Sequence, residues 1–271
     1  MSHGRYSVAA VIITKNEESN LRGCLESVVG WVDEVVVLDS GSTDMTKGVA
    51  EQYGARFYQN LEWPGFGKQR QVAQGYVASS WCFWLDADER VSPALRDEIL
   101  SVVRQGIGNQ VYAIPRLNWF FGRFIRHCGW YPKPVVRLYP SALTRYDDAS
   151  VHEQVEILES FCIKTLENDL IHYPYANLRQ YVSKSSLYAS DWAKMRYAAG
   201  NKSSLLGAFF RAVLRFFRMY LLQKGFFDGK QGFLLCVLSS YYTFLKYAEL
   251  WVLGLDTEKE TQIRDFSKFG E

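Results

Sequence analysis

Two carboxylates that follow a continuous apolar run constrain the fold of this chain more than any other feature. The run Trp81-Cys82-Phe83-Trp84-Leu85 ends in Asp86-Ala87-Asp88. Five consecutive apolar residues are typical of a strand buried on both faces of a mostly parallel sheet. Because open α/β sheets bind ligands outside the carboxyl ends of their strands, Asp86 and Asp88 are expected at a binding edge. There they are suited to hold Mg²⁺ or Mn²⁺ with a nucleotide; an acidic surface turn is the alternative.

Strand and helix patterns alternate through the first half of the chain. Apolar runs predict strands at 8–14, 34–38, 55–58, 81–85 and 111–114. Apolar residues at helical spacing lie between them, and Ser92-Pro93 predicts another helix start, with Ser as N-cap. This alternation predicts right-handed crossovers, and hence an α/β fold in which helices cover both faces of a parallel sheet.

Polar residues accumulate where three of the predicted strands end. They are Thr14 to Glu17, Asp39 to Asp44, and Asp86 to Asp88. Because the carboxyl ends of parallel strands lie on one edge, a shared site is favoured, although Asp44 suits a helix N-cap equally well. The chain has neither Gly-x-Gly-x-x-Gly after the first strand nor a P-loop motif, which argues against a dinucleotide-binding fold and a P-loop NTPase.

Composition narrows the class of protein further. The formal net charge of +2 gives no reason to expect nucleic acid as a partner. The five cysteines show no metal-ligand spacing, and Cys24, Cys82 and Cys236 lie in apolar segments. They are expected to be reduced core residues of a cytoplasmic protein. The first residues lack a signal-peptide pattern, which agrees with that expectation.

Strand patterns stop near residue 176, so the sequence predicts a first domain over 1–175 and a helical region over 176–271. In the apolar stretch 205–222, Arg211, Arg215 and Arg218 recur on one face. A wide apolar face beside a basic stripe is typical of a helix in a membrane interface, which would bind an anionic surface. Packing of this helix on the first domain is the alternative.

A second apolar stretch follows at 233–253. It is long enough to cross a bilayer, but it contains Lys246 and Glu249, which are costly inside the hydrocarbon. A second interfacial or packed helix is therefore preferred.

Three motifs resemble, in order and spacing, the family 2 glycosyltransferases of the GT-A fold. They are residues 11–18 (VIITKNEE), 37–44 (VLDSGSTD) and 85–89 (LDADE). Residues 129–132, 136–139 and 151–154 are similar to the subgroup that contains the lipopolysaccharide inner-core β-1,4-glucosyltransferases. Lys133 departs from that pattern, where an acidic residue is expected, and this bears on the acceptor site.

The resemblance implies roles for the residues that bind the donor. Asp39 would contact the uracil of a UDP-sugar, while Thr14, Asn16 and Glu17 would line the nucleotide pocket.

The resemblance also implies a metal site and a base. Asp86 would face the ribose and the metal, and Asp88 would ligate the metal beneath the diphosphate. His172 would contact the metal or the diphosphate. Glu153 stands where the family carries its catalytic base.

The chemistry of transfer requires further groups. A departing diphosphate gains negative charge, and Lys68, Arg70 and Arg137 are candidate cations for it, although Arg137 also suits a solvated strand. A single base and in-line attack predict inversion at the anomeric carbon. The aromatic and basic stretch 119–133 suits sugar rings and a phosphorylated acceptor; a loop packed on the sheet edge is the alternative.

The sequence therefore predicts a metal-dependent, inverting hexosyltransferase of the GT-A fold, peripheral on the inner face of the cytoplasmic membrane. The expected donor is UDP-glucose, and the expected acceptor is a lipid-linked glycan, namely heptose of the lipopolysaccharide core. The alternatives are a polyprenyl-phosphate glycosyltransferase and a catalytically silent carbohydrate- or lipid-binding module on the same fold.

Overall fold

The computed structural model describes residues 6–149 and 153–268, with side chains up to residue 255 in the last helix. The chain forms two compact units. The first runs to Leu117 and resumes over Pro132–Tyr173, and the second comprises Asn118–Tyr131 and the residues from Pro174 onward. The sequence predicts one boundary at 175, whereas the structure groups Asn118–Tyr131 with the helical unit.

The first unit holds most of the strands. In chain order the strands are β1 (Val8–Thr14), β2 (Glu34–Asp39), β3 (Arg56–Gln59), β4 (Trp81–Asp86), β5 (Glu89–Val91), β6 (Gln110–Ile114), β7 (Arg116–Phe120), β8 (Arg123–Ile125), β9 (Val135–Pro140), β10 (Cys162–Thr165) and β11 (Leu170–His172). The helices are α1 (Glu18–Glu26), α2 (Thr46–Gln52), α3 (Phe66–Gln74), α4 (Pro93–Arg104), α5 (Leu178–Ala198), α6 (Leu205–Phe217) and α7 (Gly229–Lys268).

A seven-stranded sheet has the order β10-β6-β9-β4-β1-β2-β3. β1 is parallel to both β2 and β4, β2 is parallel to β3, and β10 is parallel to β6. Only β9 runs antiparallel to its neighbours in this sheet, β4 and β6. The predicted fold class, a mostly parallel sheet flanked by helices and followed by a helical region, is confirmed.

The central strands are buried on both faces, as their continuous apolar runs predict. Side chains of β1 alternate between two separate hydrophobic clusters: Ile12 lies in one and Val11 in the other. The predicted helix start at Ser92 is also present, since its hydroxyl accepts a hydrogen bond from the backbone N–H of Leu95 at 3.2 Å. β4 is the middle strand of the sheet and ends at Asp86, so the first carboxylate of the motif lies at the carboxyl end of this strand.

The second unit is built from α5, α6 and α7 with the β7–β8 hairpin, in which Trp119 pairs with Phe124. A π-helical turn, Arg218–Leu222, continues α6, and a 3₁₀ turn, Gly225–Asp228, precedes α7. Asp228 is buried, and its carboxylate accepts from the backbone N–H of His127 at 2.8 Å. Within residues 6–149 and 153–268, no helix has both the length and the hydropathy needed to cross a bilayer.

Candidate active site

The loop after β2 is organised by Asp39. This carboxylate is fully buried. Its Oδ2 accepts from the backbone N–H groups of Gly41 and Ser42 at 2.9 and 2.8 Å. Its Oδ1 accepts from the hydroxyl of Thr14 at 3.1 Å and from that of Ser42. Gly41 has φ of +87°, a conformation that a side chain would strain. Asp39 therefore accepts the hydrogen bonds that shape this loop.

The loops after β1 and β2 are joined by side-chain hydrogen bonds. Asn16 adopts the left-handed region, with φ of 54°, which asparagine tolerates better than most residues. Its backbone N–H donates to the hydroxyl of Ser42 at 2.7 Å, and its Oδ1 accepts from the N–H of Thr43 at 2.8 Å. The N–H of Glu17 donates to the hydroxyl of Thr46 at 2.9 Å. Three of the predicted nucleotide-binding residues, Thr14, Asn16 and Asp39, thus belong to one bonded unit.

Asp44 caps helices in this structure. Its carboxylate accepts from the backbone N–H of Thr46, the first residue of α2, at 3.0 Å, and from the N–H of Glu18, the first residue of α1, at 3.2 Å. Burial would raise the pKa of Asp44, but the hydrogen bonds from Thr46 outweigh it and lower that pKa. Asp44 therefore stabilises the starts of both helices, although the N-cap residue of α2 is Met45, one position later than the sequence predicts.

Asp86 is held by two arginines that approach from different elements. Nη2 of Arg70, on α3, donates to Oδ1 at 2.8 Å, and Nη2 of Arg137, on β9, donates to Oδ2. Burial would raise the pKa of Asp86, but Arg137 and Arg70 outweigh it and hold the pKa well below its usual range. Both carboxylate oxygens are therefore occupied by guanidinium groups.

Glu89 joins Asp86 in this network of carboxylates and arginines, and the sequence pattern predicts no separate role for it. It is fully buried, accepts from the backbone N–H of Asp86 at 2.8 Å, and pairs with Nη2 of Arg137 at 3.0 Å. Arg116 adds a longer contact at 3.6 Å. Burial raises the pKa of Glu89 despite these cations. The only available sequence signal was its place directly after the Asp-Ala-Asp motif.

Glu153 reaches the site from a part of the chain whose described residues lie against α3. The backbone N–H of Asp147 donates to the carbonyl of Gln154 at 2.8 Å. A Cβ on Gly67 would lie 2.0 Å from the carbonyl oxygen of Asp147, so only glycine permits this close packing. Oε1 of Glu153 then accepts from Nε of Arg70 at 3.1 Å. His152, the neighbour that could tune Glu153, lies outside the described residues.

Arg70 is the centre of this network. Its guanidinium carbon lies 5.2 and 4.9 Å from the ring centroids of Trp84 and Tyr146. Among the residues that the structure describes, neither its buried Nη1 nor the buried Nε of Arg137 has a hydrogen-bond partner. Buried donors without partners are uncommon and costly in native proteins. An anionic ligand at this edge would supply the missing acceptors.

Asp88 and His172 lie together at the same edge. Oδ2 of Asp88 is 3.4 Å from Nε2 of His172, the last residue of β11, which pairs antiparallel with β5. Within the part of the chain that the structure describes, no three His, Cys, Asp or Glu side chains are grouped as a complete metal site. A cation here would therefore take two protein ligands and complete its shell from a bound ligand or water, as Mg²⁺ commonly does.

The remaining predicted cation, Lys68, lies on the exposed side of α3, whose buried residues include Gln69 and Arg70. The aromatic and basic stretch up to Tyr131 belongs to the second unit, whereas Lys133 belongs to the first.

The fold and the strand-end carboxylates define an α/β protein with a polar candidate site at the carboxyl edge of its main sheet. Residues 9–133 match the model of glycosyl transferase family 2. The matched region, a little under half of the chain, is similar to a family 2 glycosyltransferase domain, and the mostly parallel sheet flanked by helices has the predicted GT-A architecture.

Curated relatives extend the similarity over most of the chain. A lipopolysaccharide core biosynthesis glycosyltransferase, LpsC of Rhizobium meliloti, is 28% identical to this chain. The alignment covers 90% of this chain and 92% of LpsC. A glycosyltransferase of Rickettsia bellii is 27% identical over 95% of this chain and 90% of its own. Among solved structures, S. aureus TarS in complex with UDP is 14% identical, with a TM-score of 0.48, and covers 94% of this chain and 92% of that one.

Proposed function

We propose that this glycosyltransferase moves a hexose, glucose, from a UDP-sugar to a lipid-linked glycan of the lipopolysaccharide core, with inversion. The observation that supports the donor chemistry is the arginine pair around Asp86. Arg70 and Arg137 each keep one buried N–H group without a partner among the described residues. A diphosphate offers acceptors of opposite charge for such donors. The similarity to LpsC supports the acceptor class.

The donor would bind at the carboxyl edge of β1, β2 and β4. Thr14, Asn16 and Glu17 would line the nucleotide pocket, and the loop shaped by Asp39 would face the uracil. Asp86, fixed by its arginines, would face the ribose. Lys68 lies on the exposed side of α3 and would be available to the diphosphate from solvent.

Asp88 and His172 would hold Mg²⁺ or Mn²⁺. Asp88 supplies the oxygen that both ions prefer, and an imidazole is an accepted ligand of transition metals. We assign the metal to this pair rather than to Asp86, because both oxygens of Asp86 accept from arginines. When bound, the cation would neutralise negative charge that develops on the departing diphosphate.

Glu153 would act as the base. It would accept the proton of the acceptor hydroxyl while that oxygen attacks the anomeric carbon and the bond to the diphosphate breaks. One base and one displacement give inversion.

The second unit would place the protein on the inner face of the cytoplasmic membrane. Along α6 and the π turn, large apolar side chains are exposed: Leu205, Leu206, Phe209, Phe210, Leu214, Phe217, Leu221 and Leu222. Arg211, Arg215 and Arg218 flank this face at helical spacing. An amphipathic helix with such a basic flank favours the interface of an anionic membrane.

The test is a donor screen by UDP release, with Mn²⁺ or Mg²⁺ present and a core glycolipid ending in heptose as acceptor. Release that requires both UDP-glucose and this acceptor, with glucose found in the β configuration on the product, supports the proposal. Transfer to a polyprenyl phosphate instead would reassign the acceptor, and no release with any donor would indicate a binding module.

A further inference from the structure

Three cations from three helices of the second unit converge on two touching aromatic rings. The ring centroids of Trp192, on α5, and Tyr247, on α7, are 4.9 Å apart. Lys246 Nζ lies 4.2 Å and Arg196 Cζ 5.5 Å from the centroid of Trp192. Arg211 Cζ, on α6, lies 4.6 Å from the centroid of Tyr247. We call these five residues the basic cluster.

The side chains that the structure describes leave the positive charge of the basic cluster without a compensating carboxylate. Among the described side chains, no carboxylate lies within ion-pair distance of Arg196, Arg211 or Lys246. Burial lowers the pKa of Lys246, and the charges of Arg215 and Arg196 lower it further. Lys246 therefore experiences the field of two neighbouring cations.

The aromatic faces hold these cations in place without neutralising them. A cation–π contact at an exposed site is weak, and it leaves the like charges repelling one another. An anion placed among the cations would remove that repulsion and accept hydrogen bonds from the guanidinium and ammonium groups.

A cavity that could hold part of such a ligand is lined by sequence neighbours of the basic cluster. A cavity of about 180 Å³ is lined by Tyr197, which follows Arg196, and by Leu250, which lies one helical turn after Lys246. Asn201, Lys202 and Ser203 add polar groups, and Trp251 adds an apolar wall. The cavity thus combines a cationic group, a polar side and an apolar side, which suits an amphipathic ligand.

We propose that the basic cluster binds the phosphate of a membrane lipid headgroup and prefers a phosphomonoester. A phosphomonoester carries about −1.5 to −2 charges at pH 7, which matches several cations better than the single charge of a diester. A lipid is the source we assign, because Arg211 lies on α6, the helix whose exposed apolar side chains we propose to enter the membrane. This inference rests on the proposed membrane attachment and is independent of the donor chemistry.

The experiment compares vesicles of phosphatidylcholine that contain phosphatidic acid, a monoester, or phosphatidylglycerol, a diester, matched in surface potential. The test variant is Arg196→Gln with Lys246→Gln. The matched control is Lys194→Gln with Lys230→Gln, which removes the same charge from exposed positions of the same two helices. We expect the unaltered protein to bind phosphatidic acid vesicles about tenfold more tightly, the test variant to lose that preference, and the control to keep it.

Each other outcome has a defined meaning. No preference in the unaltered protein, or equal loss of preference in the control, would overturn the proposal in favour of unspecific attraction. A soluble arm titrates glycerol 3-phosphate in the absence of vesicles; binding there, with the same affinity as to phosphatidic acid vesicles, would overturn the assignment to a lipid. Absence of binding to every anionic vesicle would overturn the membrane attachment itself, whereas binding without discrimination overturns only the headgroup site.

Discussion

Nε of Arg70 lies 3.1 Å from Oε1 of Glu153, and Nη2 of the same guanidinium lies 2.8 Å from Oδ1 of Asp86. One arginine thus joins the proposed base to the carboxylate at the end of β4. Oε2 of Glu153 has no hydrogen-bond partner among the described residues, so this oxygen is free to accept the proton of an acceptor hydroxyl. The pairing with Arg70 would at the same time fix the orientation of the carboxylate.

The first prediction concerns Glu153→Gln, which keeps the shape of the side chain and an acceptor for Arg70 but cannot take a proton at neutral pH. We expect kcat to fall by roughly 10²–10⁴, with UDP affinity nearly unchanged because the donor contacts lie elsewhere. Steady-state kinetics and a UDP titration measure both quantities. Glu156→Gln is the matched control, because Glu156 is half-exposed and pairs with Arg145 at 3.6 Å. Near-normal turnover of Glu153→Gln would show that Glu153 is not the base and has only the structural role of pairing with Arg70.

The second prediction concerns the metal. Asp88→Ala is expected to abolish the dependence of UDP-sugar binding on Mn²⁺, and His172→Ala to weaken it, because the two side chains supply the proposed protein ligands. Calorimetric titration with and without Mn²⁺ measures this. Asp97→Ala is the control, since Asp97 is exposed and forms an ion pair with the adjacent Arg96 at 2.8 Å. If the unaltered protein were as active in excess chelator as it is with added metal, a role for the metal would be contradicted.

The third prediction separates two roles of Asp39. Asp39→Ala leaves the half-buried N–H groups of Gly41 and Ser42 without their acceptor. The cost for each should be less than the roughly 1–3 kcal/mol of a fully buried donor. We expect a lower melting temperature and weaker UDP binding, whereas Thr14→Val, which removes one bond, should have the smaller effect. If Asp39 also contacts uracil, binding of pyrophosphate should suffer less than binding of UDP. Unchanged UDP affinity in Asp39→Ala would reject both roles.

The fourth prediction concerns pH. The folded-state pKa of Glu89 is raised, so the folded state binds its proton more tightly than the unfolded state does. The contribution of this group to the free energy of unfolding therefore declines as pH rises from about 4.3, the usual value for glutamate, through the raised pKa. Glu89→Gln removes this decline, so its stability relative to the unaltered protein should increase over that interval in urea titrations. A constant difference across pH would contradict the assignment.

The fifth prediction concerns the exposed face of α6. Phe210→Ser with Leu214→Ser should reduce sedimentation with anionic vesicles at least tenfold without loss of helix content, because both side chains are more than half exposed and the change removes apolar area from the proposed interface. Leu158→Ser with Ile163→Ser, also exposed but in the first unit, is the control. Equal vesicle binding by both variants would argue against this face as the membrane contact.

Local patterns were enough to predict the framework of the donor site. The apolar run of β4 can only be buried, and its burial places Asp86 at a strand end. The alternation of strands and helices then implies parallel pairing, which brings the ends of β1, β2 and β4 to one edge. These inferences succeed because strand burial and crossover handedness depend on residue type and spacing along the chain.

The partners of the charged side chains could not be inferred in this way. Arg70 is hydrogen-bonded to Glu153, which lies 83 positions away in the sequence, and Arg137 is hydrogen-bonded to Glu89, which lies 48 positions away. Which cation reaches which carboxylate depends on where α3 packs and on the pairing of β9 between β6 and β4 in the sheet. A single sequence contains no local signal for either. The same holds for the burial of Asp39 and for its hydrogen bonds within its own loop.

The sequence by itself determined the α/β fold, the edge that carries the site, and the carboxylates that end its strands, because these follow from local hydrophobic periodicity. Only the tertiary structure decided that Asp86 is shared by two arginines, that Glu89 joins them, and that Asn118–Tyr131 groups with the helices. The physical reason is that a buried charge or carboxylate requires partners, as Asp228 requires the N–H of His127. Those partners are brought together only when distant segments of the chain pack.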